Sequence, residues 1–116
     1  MSSSVLIRHR DLVMNPDESC AEWRGHAVGL TATEYKVVAL LIAAAGVAVS
    51  YRTIYDAMRH KGFVSGEGER GHEACVRTTV KRIRRKFLAI DAGFCEIRNT
   101  MNLGYFWEPT VDQIRK

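Results

Sequence analysis

Long apolar runs, a cysteine framework and an export signal are all missing from this sequence, and each absence removes a class of protein. The longest apolar stretch, Val37 to Val49, is well short of the about 20 residues that cross a bilayer, so no membrane association is expected. The three cysteines, Cys20, Cys75 and Cys95, are odd in number and far apart. Small secreted domains stapled by disulfides carry paired cysteines instead. The first residues, Met-Ser-Ser-Ser, lack the basic-then-apolar pattern of a secretory leader. Together these absences point to the cytoplasm. Nothing matches a catalytic triad or a pair of carboxylates held in a pocket, and the acids are scattered. An enzyme is not expected, nor a cofactor.

What remains is an ordinary globular composition, 47% hydrophobic and 26% charged, which argues against disorder. A chain of 116 residues buries roughly 65% of its unfolded surface, enough for one core. No repeat or linker divides it, so residues 1–116 read as one domain with an ordered core over about 5–108. From Leu6 to Leu30, short apolar pieces carrying Leu6, Val13, Trp23 and Val28 alternate with the turn signals Asn15-Pro16-Asp17 and Arg24-Gly25-His26. This pattern predicts an antiparallel sheet of three or four strands.

The middle of the chain reads as helical. Thr31-Ala32-Thr33-Glu34 matches a capping box, in which a hydroxyl and a carboxylate satisfy free amides at a helix start. That helix runs through Tyr35, Val38, Leu41 and Ile42 to Gly46. Ser50 caps a shorter one carrying Ile54, Ala57 and Met58, which ends at Lys61-Gly62. A glycine-rich loop spans Val64 to Gly71, and a third helix is expected over about 72–88. The tail predicts a hairpin over about 95–107, with Cys95 to Arg98 and Tyr105 to Trp107 flanking a Met101 to Gly104 turn. Asn102 and Gly104 both tolerate the positive φ that tight turns use. The order is that of an α+β domain: N-terminal antiparallel sheet, three helices, C-terminal β-hairpin.

Charge is concentrated on the third helix. Arg77 to Lys86 hold six basic side chains and no acidic one. With the stripe Val76, Val80, Ile83 and Phe87 turned inward, Thr78, Lys81, Arg82 and Arg85 fall opposite, and Arg77 and Arg84 lie on one flank at 100° per residue. An α-helix fits the DNA major groove, where arginines fork onto guanine edges and lysines neutralise phosphates. Such a face also arises as plain solvated charge. What favours DNA here is the lack of acids at salt-bridge spacing within the run and the hairpin bearing Arg98 that follows. The candidate DNA-binding residues are therefore Arg77, Thr78, Lys81, Arg82, Arg84, Arg85 and Arg98.

Four short motifs in order sharpen this reading: Leu30-Thr31-x-Thr33-Glu34-Tyr35, Gly46-x-x-x-Ser50, Val80-Lys81-Arg82-Ile83-Arg84-Arg85-Lys86-Phe87 and Gly104-Tyr105. In this combination the chain, from Leu6 to Trp107, resembles the C-terminal effector domain of OmpR/PhoB-type response regulators. The resemblance implies a winged helix-turn-helix that binds double-stranded DNA sequence-specifically in a bacterial two-component regulator. The third helix would be the recognition helix and the hairpin the wing, with pairing as a homodimer on DNA. It also implies that the loop 63–71, with Glu67, Glu69 and Arg70, faces RNA polymerase or another partner. The sequence departs from the family pattern in three places. Ala74 and Arg77 stand where an arginine and an aspartate are usual, and Met101 where the wing often has arginine. The receiver domain typical of the family is not within these 116 residues. These departures keep a second reading open, a winged-helix module whose basic helix docks an acidic protein.

Two further patterns are decoys. Gly66-x-Gly68-x-x-Gly71 precedes a helix, and Asp91 lies 20 residues beyond it, as in dinucleotide-binding folds. Such folds need a parallel βαβ unit, whereas only Phe63-Val64 stands upstream, and two loop glutamates would repel a pyrophosphate. His72 and Cys75 have metal-ligand spacing, but no second pair completes a zinc site. Cys75 reads better as a half-buried small residue. Tyr35, Trp23, Tyr105 and Trp107, on amphipathic elements, read as core rather than as base-stacking platforms.

Overall fold

The computed structural model describes residues 6–59, 68–101 and 103–108. Four antiparallel strands open the chain: β1 (Ile7–His9), β2 (Leu12–Asn15), β3 (Cys20–Trp23) and β4 (His26–Val28), paired in sequence order. Their turns follow from local chemistry. The Asn15 side-chain oxygen accepts the amides of Asp17 at 3.0 Å and Glu18 at 3.3 Å, closing the β2–β3 turn. Between β3 and β4, Arg24 (φ 53°) and Gly25 (φ 83°) are both left-handed, as a two-residue hairpin loop of matching twist requires. The register sets Leu12 against Trp23 and Met14 against Ala21, and all four are buried. Val13 therefore lies on the outer face and is half-buried, and Leu6 is exposed ahead of β1. Leu12 and Met14, rather than Val13, supply the inward face of β2. In a strand of period two, the phase is set by what Trp23 packs against.

Helix α1 (Ala32–Ala43) starts at the anticipated capping box. The Glu34 amide donates to the Thr31 hydroxyl at 3.1 Å and the Thr31 amide donates to the Glu34 carboxylate at 2.9 Å. Its buried face is Tyr35, Val37, Val38 and Leu41, with Ile42 only half-buried. The Ser50 hydroxyl accepts the Thr53 amide at 3.1 Å and caps α2 (Tyr51–Met58), which buries Tyr51, Ile54 and Met58. That helix stops before the Lys61-Gly62 end expected from sequence, which lies outside the described residues. Helix α3 spans Gly68–Ile90, a full turn earlier than anticipated. Glu69 and Arg70 are thus on helical backbone rather than in a loop, and Glu67 falls outside the described residues. Glycine disfavours a helix interior by about 1 kcal/mol; that preference suggested a loop, but it does not prevent one more turn on a long helix.

A second sheet, not anticipated as such, closes the molecule. The two-residue strand β5 (Val49–Ser50) and the hairpin strands β6 (Ile97–Thr100) and β7 (Gly104–Trp107) pair in the order β5-β7-β6. The hairpin starts two residues later than Cys95. Glu96 is buried, and its carboxylate accepts the Cys95 amide at 3.0 Å. Gly104 serves a different purpose from the one expected. Its φ is not left-handed; instead a Cβ there would stand 1.8 Å from the Val49 carbonyl oxygen. Close approach of β5 to β7 excludes every side chain at this position.

Both sheets and all three helices meet in one core. Val76, Val80, Ile83 and Phe87 of α3 are fully buried, as the stripe predicted. Phe87 stacks on Phe94 at 4.5 Å, and Trp23 meets both rings edge-on at 5.5 and 5.2 Å. Trp23, Tyr35, Tyr105 and Trp107 are all buried, consistent with core packing and not with stacking platforms.

Candidate nucleic-acid interface

The six basic residues from Arg77 to Lys86 on α3 divide by flank. On one side, the Lys86 ammonium lies 2.6 Å from the buried Glu34 carboxylate and 2.8 Å from the Gly29 carbonyl, tying α3 to the start of α1. On the other, the Arg84 guanidinium donates twice to the Ile97 carbonyl, at 3.2 and 2.8 Å. It also lies over the Tyr105 ring at 5.4 Å. Arg84 thereby holds the hairpin against α3. Arg77, two helical turns earlier on that flank, lies 5.1 Å from the Tyr51 ring centre and 3.6 Å from Glu73. Glu73 precedes the acid-free run and so did not enter the sequence reading.

The central stripe remains. Lys81, Arg82 and Arg85 are exposed, as is Thr78, and among the described residues no hydrogen bond or ion pair engages the three cations. Opposite them sits the fully buried apolar stripe, so the open cations face solvent along one side of a rigid helix. Flank cations lock the helix in place, and stripe cations are left to meet a ligand.

The hairpin beside this stripe is anchored at several points. The Tyr51 amide donates to the Leu103 carbonyl at 3.1 Å and the Gly46 amide to the Trp107 carbonyl at 2.9 Å. The Tyr51 and Tyr105 rings meet edge-on at 5.7 Å. Arg77, Tyr51, Tyr105 and Arg84 thus form one continuous lattice of cations and rings. Hydrogen bonding to Tyr51 raises the Arg77 guanidinium further above its ordinary value. Burial pushes the Tyr105 phenol up, with Tyr51 adding to the rise and Arg84 opposing it. Arg98, on the outer side of the hairpin, lies 3.6 Å from Glu108. At the tip, Met101 is 80% and Leu103 48% exposed.

The decoys take structural roles. Asp91 accepts the Trp23 indole N–H at 2.9 Å, lies 3.5 Å from Arg24 and accepts the Gly93 amide at 3.0 Å. It anchors the end of α3 on the first sheet rather than facing a ribose. His72 rests on the Tyr55 ring at 5.6 Å, and Cys75 is half-buried. Glu34 and Tyr51, the anchors of the two flanks, were not foreseen in those roles. Glu34 was read only as a cap, and the sole hint of Tyr51 was its place directly after the Ser50 cap.

The family described as "Transcriptional regulatory protein, C terminal" matches residues 25–107. No curated protein is matched by sequence. Among solved structures, the chain is similar to the DNA-binding domain of CpxR from E. coli. The two share 22% identity at a TM-score of 0.70, over 90% of this chain and 97% of that one. It is likewise similar to the AdeR DNA-binding domain solved in complex with an intercistronic region, with 18% identity and a TM-score of 0.72 over 88% and 98% of the chains. A third relative is the RstA DNA-binding domain of Klebsiella pneumoniae, solved in complex with the RstA box. It shows 20% identity and a TM-score of 0.68 over 90% and 97%. Among the described residues no helix is long and apolar enough to cross a membrane. With an antiparallel sheet, three helices, a C-terminal hairpin and a basic third helix, the chain belongs to the C-terminal domains of transcriptional regulatory proteins, the OmpR/PhoB-type winged-helix DNA-binding domains, which are not enzymes.

Proposed function

We propose that this domain binds duplex DNA sequence-specifically for a bacterial transcription regulator, laying α3 in the major groove with the hairpin as wing. The observation that carries the reading is the open stripe of Lys81, Arg82 and Arg85, backed by a buried apolar face and clamped on both flanks. A groove-reading helix needs that rigidity. Arginines mid-stripe fork onto base edges, and lysines and flank arginines meet phosphates. Arg82 is the base reader and Lys81 a backbone contact. Thr78, Arg85, Arg77 and Arg98 complete the footprint, the last two after loosening their pairing with Glu73 and Glu108. Arg84 acts one step back, by fixing the wing.

Pairing as a homodimer on DNA, and contact with RNA polymerase through residues 63–71, belong to the same proposal and rest on family likeness. A titration of duplex against single-stranded DNA across salt concentrations tests it. Three to five neutralised phosphates give a log–log slope of about −3 to −4.5 on duplex. Absence of duplex binding at low salt, or a slope near zero, overturns the reading and leaves the basic face to an acidic protein.

A further inference from the structure

On the Lys86 flank of α3, a groove of about 360 Å³ opens between that helix and the start of α1. Cys75, Thr79 and Arg82 line it. Steps of four and three residues place all three along one line of the helix. Thr79 is the unusual member. It is only 8% exposed, yet among the described residues no hydrogen bond engages its hydroxyl, and its oxygen keeps contact with solvent. A hydroxyl on so buried a side chain is ordinarily paired; this one faces the groove instead. Thr31 and Thr33 border the groove from α1. The Glu34 carboxylate does so too, but the Lys86 ammonium 2.6 Å away neutralises it, so Arg82 leaves the groove positive.

The groove thus sets a half-buried thiol beside hydroxyls and a guanidinium. The other two cysteines have the opposite surroundings. The Cys20 thiol donates to the Glu18 carboxylate at 3.7 Å, and Cys95 has the Glu96 carboxylate 3.0 Å from its amide. An acid beside a sulfur disfavours the thiolate and repels an incoming anion.

We propose that Cys75 is a site of reversible S-thiolation by a low-molecular-weight disulfide bearing carboxylates, of which glutathione disulfide is the type, and that the adduct switches off duplex binding by occupying Arg82. The site stands on the groove alone; the switch rests on the duplex-binding reading above. Cys75 gives up its proton, and the thiolate attacks one sulfur of the disulfide. A bond between Cys75 and one glutathionyl sulfur forms as the S–S bond of the reagent breaks. The leaving half is reduced to a thiol, taking up the proton, as Cys75 is oxidised. Along the helix axis Arg82 lies about 10 Å from Cys75, at 1.5 Å per residue. A tripeptide, at about 3.3–3.6 Å per residue, covers that span, so its carboxylate reaches the guanidinium and its amides meet Thr79. Such a charge-assisted pair withdraws Arg82 from the base edges, and the adduct fills the space beside the stripe.

The test exposes the full chain to glutathione disulfide, or to the cationic disulfide cystamine, and locates adducts by peptide mass mapping. Glutathionylation is expected at Cys75 about 3- to 10-fold faster than at Cys20 or Cys95, the preference that local charge gives an anion. Cystamine loses this preference and Arg82→Gln reduces it. The adduct keeps native circular dichroism but binds duplex about 5- to 100-fold more weakly, as loss of a base-reading arginine would, and dithiothreitol restores affinity. Cys75→Ser binds duplex as the natural chain does and does not respond to glutathione disulfide. Faster reaction at Cys20 or Cys95, equal preference with both disulfides, or loss of native dichroism on modification overturns the site. An adduct at Cys75 that leaves affinity unchanged overturns the switch, with duplex binding intact. Absence of duplex binding by the unmodified chain overturns the proposed function and the switch with it, whereas the site is decided by the mapping.

Discussion

Side chains of one type, on one helix, do different work according to what lies 3 Å away. Arg82→Ala is expected to cost about 1–3 kcal/mol on a selected site and to relax base preference there. Lys81→Ala weakens binding to all sequences alike. Arg84→Ala behaves in the opposite way. It loses two charge-assisted hydrogen bonds to the Ile97 carbonyl, and chemical denaturation should show a loss of about 1–2 kcal/mol with little change in salt slope. Equal stability of Arg84→Ala and the natural chain would count against the clamp. Tyr35 offers a test of the reverse sign. Its hydroxyl is buried with no hydrogen-bond partner among the described residues, so Tyr35→Phe should leave stability unchanged or raise it by up to about 1 kcal/mol. Burial also raises the Tyr35 phenol above its ordinary value. The neutral form is the one the fold favours, so this contribution is complete below about pH 10 and is lost as pH climbs through the raised folded value. Tyr35→Phe should therefore lessen the alkaline loss of stability in melts above pH 10.

Among the elements, α1 and the wing each depend on one contact that an isolated segment cannot make. Glu34 caps α1 and at the same time receives Lys86 from α3. Glu34→Gln retains a capping acceptor but removes the charge facing Lys86. A fully buried pair broken on one side costs about 3–5 kcal/mol; Lys86 is one-third exposed, so about 1–3 kcal/mol is expected. A thermal melt unchanged by the substitution would show that the pair is incidental. Gly104→Ala is the severest single change predicted. Its Cβ would overlap the Val49 carbonyl oxygen at 1.8 Å, and backbone on both sides prevents relief. Separation of β5 from β7 should leave little folded protein, visible as lost near-ultraviolet dichroism.

Over the whole molecule, the fold gives a net charge of only +4 a direction, because Arg84 and Lys86 are engaged internally while Lys81, Arg82 and Arg85 are exposed. The N-terminal segment of α3 and residues 63–67 lie away from that stripe in sequence and carry Glu67 and Glu69. Under the proposed function, Glu67→Ala/Glu69→Ala should bind DNA as tightly as the natural chain, or slightly more tightly, yet give less transcription from a reporter promoter. A fall in DNA affinity would place those residues in the grip instead.

Periodicity and capping chemistry were enough to foresee the three helices, the buried stripe of α3 and the hairpin. These depend on contacts within a few residues: Thr31 with Glu34, Ser50 with Thr53, and Val76 through Phe87 on one helical face. The basic run likewise marked the helix that displays Lys81, Arg82 and Arg85 to solvent. Sequence spacing did not distinguish Arg84 from Arg85, nor Lys86 from Lys81. Neighbouring residues on a helix differ by 100°, and only the packing of α1 and the wing against α3 determines which cation finds an internal partner. The same holds for Gly104, whose need is a close approach by β5 more than fifty residues away, and for β5 itself, too short to announce a period. What the sequence alone determined was what each segment becomes. Which charges are displayed, and at what angle the wing stands to the helix, the tertiary structure decided, because both depend on contacts between segments far apart in the chain.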